Sequence, residues 1–216
     1  MSEKLTEVEA RVVGALIEKQ LTTPEYYPLT MNALVAACNQ KSNRDPVVSY
    51  SEQTVQKAVD DLREKNIVYV FYGSTSRVPK YKHILPQALE LDERETAVMC
   101  VLMLRGAQTL GELRERTGRL YEFSGLGEVQ ETLDSLVRRD EPLVVKLERQ
   151  AGQKEARYAH LLSGEVTQLP STEIPSVSSR PSGNERIERL EQELENLRSE
   201  FNLFKASFEE FKKQFE

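Results

Sequence analysis

The 216-residue sequence has no tryptophan, only two cysteines and two histidines, and no long apolar run. A membrane-spanning helix needs about 20 consecutive apolar residues, so the sequence predicts no membrane span. The first ten residues, MSEKLTEVEA, contain acidic side chains where a secretory signal peptide has a basic start and an apolar run. We therefore expect a cytoplasmic protein that does not associate with a membrane.

Recognisable catalytic and metal-binding motifs are also missing. The sequence contains no G-x-S-x-G nucleophile elbow, no Walker loop and no H-E-x-x-H zinc motif. Cys38 and Cys100 fall in separate predicted helices and form no C-x-x-C pair, so we interpret them as reduced core residues. Asp60 and Asp61 are adjacent on a predicted helix and diverge by about 100°, which is typical of a solvated face. The sequence thus predicts a protein that is not an enzyme, with no cofactor and no metal site.

A basic surplus, which is usual in nucleic-acid-binding proteins, is absent as well. The net charge is −6, and residues 1–90 carry 11 basic and 11 acidic side chains. Residues 91–165 carry 11 against 14, and residues 166–216 carry 7 against 10. The first part is therefore neutral and the rest is acidic. A neutral domain binds nucleic acid only if it concentrates its positive charge on one face.

What the sequence does contain is three amphipathic helices followed by a hairpin. Apolar spacing predicts the first helix at 5–20, and Thr6 with Glu9 forms a capping box at its start. Thr30 is the expected cap of a second helix that ends near residue 39, and Ser51 that of a third. Strands are predicted at 67–72 and 77–83, around a Gly-Ser turn. This order predicts a first winged-helix domain at 1–90.

The same pattern restarts at residue 91. Four segments repeat in the same order, which predicts a second winged-helix domain at 91–162; the paired positions are Thr6 and Asp92, Thr30 and Thr109, Gln56 and Gln130, and His83 and His160. Both hairpins end in a Tyr–His pair, Tyr81–His83 and Tyr158–His160. We interpret each pair as packing its hairpin onto the helices, with the imidazole hydrogen-bonded. The predicted fold class is therefore mainly α with small β-hairpins (α+β).

The composition changes after residue 162. Residues 163–184 contain three prolines and many Ser and Thr, which predicts a flexible linker. Residues 185–216 predict a coiled-coil helix, because apolar side chains recur at 3-4 spacing: Ile187, Leu190, Leu194, Leu197, Phe201, Phe204, Phe208, Phe211 and Phe215. Flanking charges attract in a parallel pair, so we expect a homo-oligomer formed through this helix. The alternative is that the seam folds back onto the chain's own domains.

The nucleic-acid hypothesis rests on the first predicted domain. In a winged helix the third helix enters the major groove and the wing reaches flanking phosphates. The candidate contacts with duplex DNA are Gln40, Lys41, Ser42, Asn43, Arg44, Gln53, Gln56, Lys57, Arg77, Lys80 and Lys82. A Gln side chain can hydrogen-bond to adenine, and a Lys side chain can hydrogen-bond to guanine. Asp60, Asp61 and Glu64, in contrast, would repel the DNA backbone. The second domain has Glu128, Glu131 and Asp134 on its third helix, and it is better suited to a protein partner.

Four unusual runs resemble the uncharacterised YceH-like bacterial family. They are TTPEYYPLT at 22–30, ACNQKSNRDP at 37–46, LRGAQTLGELR at 104–114 and GQKEARYAHLL at 152–162. The resemblance covers about residues 5–165. It implies two winged-helix domains and brings no activity and no functional residues. Two functions remain open: an oligomeric DNA-binding or regulatory protein, or an interaction module resembling the acidic winged-helix subunits of chromosome-organising complexes.

Overall fold

A computed structural model shows the fold, and the structure describes residues 4–72, 78–149 and 155–164. These residues form helices and two small antiparallel sheets, so the predicted mixed α+β class is confirmed. The first half contains α1 Glu7–Thr22, β1 Leu29–Thr30, α2 Met31–Cys38, α3 Glu52–Glu64, β2 Val68–Phe71 and β3 Lys80–His83. A one-turn helix, α4 Leu85–Ala88, leads to the second half. That half contains α5 Glu93–Arg105, β4 Gln108–Thr109, α6 Leu110–Thr117, α7 Leu126–Val137, β5 Val144–Lys146 and β6 Arg157–His160.

Side-chain caps determine where the helices begin. The Thr6 hydroxyl accepts a hydrogen bond from the Glu9 amide, and the Glu9 carboxylate accepts one from the Thr6 amide. Asp92 and Glu95 make the same reciprocal pair at the start of α5. These bonds satisfy amides that have no partner within the helix. The predicted caps of α2 and α3 are confirmed as well, and they are Thr30 and Ser51.

Each half contains a three-stranded sheet where the sequence predicted a two-stranded hairpin. The strand orders are β1-β3-β2 and β4-β6-β5, and all pairings are antiparallel. The added strands, β1 and β4, have two residues each. Strands this short show no alternation of apolar and polar residues, which explains why the sequence did not predict them. The turns at 73–77 and 150–154 lie outside the described residues.

The two halves share a continuous apolar core, in which α1 packs against α5. Gly14 lies at this helix crossing, where an added Cβ would be 3.0 Å from Leu104 side-chain atoms. The absence of a side chain at Gly14 thus allows the two helices to approach closely. Two backbone hydrogen bonds also join the halves, from Leu5 to Leu162 at 2.7 Å and from Asp45 to Leu104 at 3.0 Å. The described residues belong to one compact unit, and the limits at 90 and 162 stay predictions.

Both cysteines lie in this interior, and neither forms a disulfide. The Cys100 thiol donates to the Gly14 carbonyl at 3.4 Å across the α1–α5 contact. Burial raises the pKa of Cys38 to about 12, so its thiol stays protonated at neutral pH. The prediction that the two cysteines are reduced core residues is confirmed.

The predicted coiled-coil helix at 185–216 lies outside the described residues, as does all but the first two residues of the predicted linker. Oligomerisation through Ile187 to Phe215 therefore stays a prediction. Among the described helices, none has the length and apolar character required to cross a membrane.

Candidate nucleic-acid interface

The exposed face of α3 carries part of the predicted DNA contacts. Gln53 and Lys57 are both exposed and lie four residues apart, so they share one face of the helix. Gln56 lies beside them, but its amide donates to Asp60 at 3.0 Å and is also hydrogen-bonded to Tyr81. These bonds give the Gln56 amide a structural role, and its contact with a base stays a prediction. Its amide links the third helix to the central strand of the sheet.

The charge along α3 is mixed. An open cleft of about 610 Å³ on this helix is lined by Glu52, Gln53, Gln56, Lys57 and Asp60. Asp60 forms an ion pair with Arg63 at 3.2 Å, and both side chains are about half exposed. The Asp60 charge is therefore largely compensated, whereas Glu52 is not paired within the described part of the chain. The mixed charge of the cleft lining does not by itself favour the binding of a phosphate group.

Arg44 is the clearest correction to the predicted interface. Its side chain is buried, and the guanidinium donates to Glu18 at 2.6 Å, to the Ala37 carbonyl at 2.8 Å and to Gln40 at 3.0 Å. The prediction that Arg44 meets a DNA phosphate is wrong, because these groups already occupy its donors. Gln40 is held in the same network. The loop presents Lys41 and Ser42 to solvent instead.

The Arg44 network centres on a buried carboxylate. Burial alone would raise the pKa of Glu18, but the hydrogen bond and positive charge of Arg44 hold that pKa below its ordinary value, with help from Lys19 and Arg119. Arg119 belongs to the second half and lies 3.2 Å from Glu18. Glu18 therefore stays ionised and joins the loop of the first half to the second half. Asn43 adopts a left-handed conformation, φ 58°, within this loop.

The first sheet has an inner face and an outer face. Tyr81 and His83 of β3 are buried on the inner face. On the outer face, Lys82 lies opposite Tyr69 and Lys80 lies opposite Phe71 in the strand register. Lys82 is exposed and Lys80 is half-buried, while Tyr69 and Phe71 are 42% and 43% exposed. The structure thus places two of the predicted basic residues beside two exposed aromatic rings.

Those rings were not predicted as part of the site. The sequence did contain the signal, because residues 67–72 alternate and therefore separate Val68 and Val70 from Tyr69 and Phe71. Tyr72 follows the strand and is 67% exposed. The alternation alone did not reveal which face is covered. Arg77, the remaining predicted basic contact, lies outside the described residues.

Comparison with known proteins gives the family. A family profile described as a protein of unknown function, DUF480, matches residues 5–153, which is more than half of the chain. The chain belongs to the DUF480 family. A UPF0502 protein of Opitutus terrae is 51% identical over 191 residues, covering 88% of this chain and 81% of that protein. A UPF0502 protein of Vibrio atlanticus is 49% identical over 201 residues, covering 90% and 92%. The resemblance to an uncharacterised bacterial family is confirmed.

The lysines of this DUF480 chain differ in whether they are paired. Lys19 and Lys65 form ion pairs with Glu18 and Glu9. In the described ranges, five other lysines of the first half form no ion pair or side-chain hydrogen bond: Lys4, and the group of four at Lys41, Lys57, Lys80 and Lys82. These four lysines are among the predicted DNA contacts. Their ammonium groups are free to meet an external anion.

The second half pairs most of its arginines internally. Six of its arginines form ion pairs with carboxylates of the chain: Arg94, Arg116, Arg119, Arg138, Arg139 and Arg157. On α7 the Glu128 carboxylate accepts hydrogen bonds from Ser124 and Tyr121. Glu131 is exposed on the same helix. Three exposed cations of this half, Arg114, Lys146 and Arg149, form no ion pair within the described ranges, so the second half keeps some uncompensated positive charge.

The two histidines of the DUF480 chain pack inward, as predicted, but they are not hydrogen-bonded as predicted. Both ring nitrogens of His83 and the Nδ1 of His160 are buried and lack a hydrogen-bond partner among the described residues. The backbone N–H of His83 donates to the Tyr27 hydroxyl at 2.8 Å, and the two rings meet edge to face. Burial lowers the pKa of each imidazole to about 4. Within the described ranges, no three His, Cys, Asp or Glu side chains are grouped to hold a metal ion.

Proposed function

We propose that this DUF480 protein is a winged-helix protein that binds duplex DNA through its first half. Each half has the order helix, short strand, two helices and two longer strands, with a three-stranded sheet. This order supports a winged helix in each half. In helix-turn-helix proteins the N-terminal residues of the third helix contact base edges. Here those residues include Gln53 and Lys57.

The carrying observation is the set of four unpaired lysines, Lys41, Lys57, Lys80 and Lys82. They extend over the loop before α3, the helix itself and the outer face of the sheet. Unpaired lysines displace counterions from phosphates, and this supplies most of the affinity of a sequence-independent DNA contact. The acidic residues Asp61 and Glu64 lie near the C-terminal end of α3. We therefore expect the helix to approach DNA with its first two turns.

The proposed regulatory role depends on the predicted coiled coil. A parallel pair of 185–216 helices would join two copies of the protein, and the two first halves would then occupy paired half-sites. Dimers of this kind bind sites about one helical turn apart. We propose a non-enzymatic role in the cytoplasm, where bacterial chromosomal DNA is located.

A duplex titration at several salt concentrations tests the proposal. We compare the wild type with Lys41→Ala/Lys57→Ala/Lys82→Ala. The control has the same charge change in the second half, Arg114→Ala/Lys146→Ala/Arg149→Ala, at three exposed positions. The first variant should lose affinity and reduce the slope of log affinity against log salt by about 2.7, because each phosphate contact contributes about 0.9. The control should bind as the wild type does. Salt-insensitive binding, or equal losses in both variants, would overturn the proposal.

A second candidate function follows from the second half. Six of its nine arginines are paired internally and Glu131 is exposed on α7, which favours a basic protein partner over DNA. Affinity purification of the full chain and of Glu131→Arg separates the two functions. A stoichiometric protein partner that the Glu131→Arg variant loses supports this candidate. Retention of the same partner by both proteins would exclude α7 as the contact.

A further inference from the structure

The outer face of the first sheet combines aromatic rings with unpaired cations. Tyr69 and Phe71 lie two residues apart on β2, which separates them by about 6.6 Å along the strand. Directly across the register are Lys82 and Lys80. Because β2 is an edge strand of the order β1-β3-β2, one side of the ring pair borders solvent. Tyr69 and Phe71 are more than two-fifths exposed, so both residues are accessible to a ligand.

We propose that this face binds unpaired bases next to a duplex, with the bases stacked on Tyr69 and Phe71 and the phosphates on Lys80 and Lys82. The inference rests on the proposed function and extends it from plain duplex to duplex with a single-stranded end. Proteins that bind single strands combine aromatic platforms with basic side chains, because every base has a π-face and every nucleotide a phosphate. In an intact duplex the base faces are stacked on one another and cannot meet these rings.

The combination of aromatic rings and lysines on this face favours nucleic acid over protein as its ligand. An apolar protein surface that covered the rings would also bury two unpaired ammonium groups, which is costly. A second copy of the chain, placed on this face by a two-fold axis, would bring the lysine pair against an identical pair. A nucleotide strand satisfies both elements of the face at once. Charge complementarity therefore favours a nucleic-acid strand over a protein surface as the ligand of this face.

The second sheet provides an internal comparison, since it has the same topology without this face. Its edge strand β5 is Val144–Lys146, where Val144 is buried and Val145 is half-buried. No aromatic residue of β5 corresponds to Tyr69 or Phe71 in sequence. The exposed rings are thus not required to build a sheet of this topology. Their presence in the first sheet alone indicates a binding role.

The test measures binding of the full chain to three labelled probes that share one duplex sequence: a blunt duplex, a fork with a single-stranded DNA arm, and a fork with an RNA arm. The wild type should bind a fork at least about tenfold more tightly than the blunt duplex, since stacking on one ring already contributes about this factor. The variant Tyr69→Ser/Phe71→Ser should lose that preference and keep its affinity for the blunt duplex. The control Tyr26→Ser removes an exposed ring outside the sheet and should keep the preference.

A second variant keeps the test decisive if the double substitution unfolds the chain. The sequence has no tryptophan, so Phe71→Trp introduces a fluorophore that reports only on this face. Stacked bases should quench its emission when a fork is added, and the blunt duplex should not. The two forks distinguish DNA from RNA as the source of the unpaired bases, and a preference for either over the blunt duplex supports the inference.

The outcomes separate the two proposals. If the blunt duplex binds through the lysines while the double variant keeps the fork preference, the inference falls and the proposed function stands. If the blunt duplex does not bind while a fork quenches the Phe71→Trp protein, binding of plain duplex falls and stacking of unpaired bases on Tyr69 and Phe71 stands. If sedimentation shows that the rings instead mediate self-association, lost in Tyr69→Ser/Phe71→Ser, the inference is overturned.

Discussion

The two halves of the molecule contain the same two side-chain networks, which we call braces, but they differ in their surfaces. In each half a buried carboxylate at the start of the first helix pairs with a cation just after the third helix. Glu9 lies 2.8 Å from Lys65, and Glu95 lies 2.8 Å from Arg139. These carboxylates also complete the capping boxes of α1 and α5. The repetition indicates that the arrangement builds the fold.

A second brace is repeated in the same way. In the second half the Tyr158 hydroxyl donates to Gln130 at 3.2 Å, and the Gln130 amide donates to Asp134 at 2.8 Å. In the first half Tyr81, Gln56 and Asp60 form the corresponding chain. Each chain fastens the central strand of a sheet to its third helix. A glutamine at this position therefore has a structural role, even though it lies on the helix face predicted to meet DNA.

The differences between the halves are confined to the surface and to one loop. The first half has the Arg44 loop, four unpaired lysines and two exposed rings on its sheet. The second half has a shorter connection between its second and third helices, and six of its nine arginines are paired. What the halves share builds each of them, and what only one half has is the place to look for function. The predictions below test this division, beginning with the largest expected effect.

Arg44→Ala should cause the largest loss of stability. It leaves the buried Glu18 carboxylate without its main partner, and breaking a buried ion pair costs about 3–5 kcal/mol. Urea unfolding of the full chain measures the change. Lys41→Ala, three residues earlier and exposed, is the control and should change the free energy of unfolding by less than about 0.5 kcal/mol. If Arg44→Ala weakened DNA binding without reducing stability, Arg44 would be a contact with DNA after all.

Acidification should lower the free energy of unfolding because two histidines are buried. Burial lowers the pKa of His83 and His160 to about 4 from an ordinary 6.5. The unfolded chain therefore takes up protons below pH 6.5 that the folded chain does not. The stabilising contribution is complete above pH 6.5 and is lost as the pH falls toward 4. By linkage, each histidine should cost about 2 kcal/mol of unfolding free energy at about pH 5.

Urea unfolding between pH 7.5 and 5 measures this effect, because the ordinary histidine pKa of 6.5 lies within that range. The control is His83→Gln/His160→Gln, which has no imidazole and should flatten the dependence. The single variants His83→Gln and His160→Gln compare the two halves. Each should remove about half of the pH dependence of the free energy of unfolding. An unchanged slope in the double variant would show that other groups are responsible.

The helices and their starts were predictable from the sequence, because they depend on local chemistry. Capping residues such as Thr6 and Ser51 act within three residues of their own position. The short strands β1 and β4 were not predictable, since a two-residue strand is defined by its distant partner. Tyr81 pairs with both Leu29 and Val70, and nothing near Leu29 in sequence indicates this.

The candidate site was predictable only in part. Lys57 and Lys82 are exposed as the apolar spacing indicated. Arg44 was misplaced because a basic residue in a polar loop is usually exposed, and its partner Glu18 is 26 residues away on another helix. The Tyr69 and Phe71 rings were missed because exposure depends on what covers a sheet. That depends on tertiary packing, which one sequence does not reveal.

Removing the cation of the first brace should have unequal effects in the two halves. Arg139 donates to the carbonyls of Leu89 and Glu90 in addition to the Glu95 carboxylate. Among the described residues, Lys65 donates only to the Glu9 carboxylate and to the Lys4 carbonyl. Arg139→Met should therefore cost about 1 kcal/mol more than Lys65→Met, because it also leaves the Leu89 and Glu90 carbonyls without this donor. Urea unfolding measures both, and Arg138→Met, an exposed neighbour, is the control. Equal losses would mean that the extra carbonyl bonds contribute nothing.

The smallest expected effect is the most direct test of equivalence between the halves. Tyr81→Phe and Tyr158→Phe each remove one hydroxyl that joins a central strand to a glutamine of the third helix. Each should cost about 1 kcal/mol, the usual net contribution of a neutral hydrogen bond. The two losses should be equal, because both rings are buried and both glutamines remain bonded to an aspartate. Tyr26→Phe, an exposed ring, is the control for urea unfolding. A loss of affinity for DNA in Tyr81→Phe that exceeds its loss of stability would show that Gln56 also meets the nucleic acid, and the brace would then be part of the interface in the first half alone.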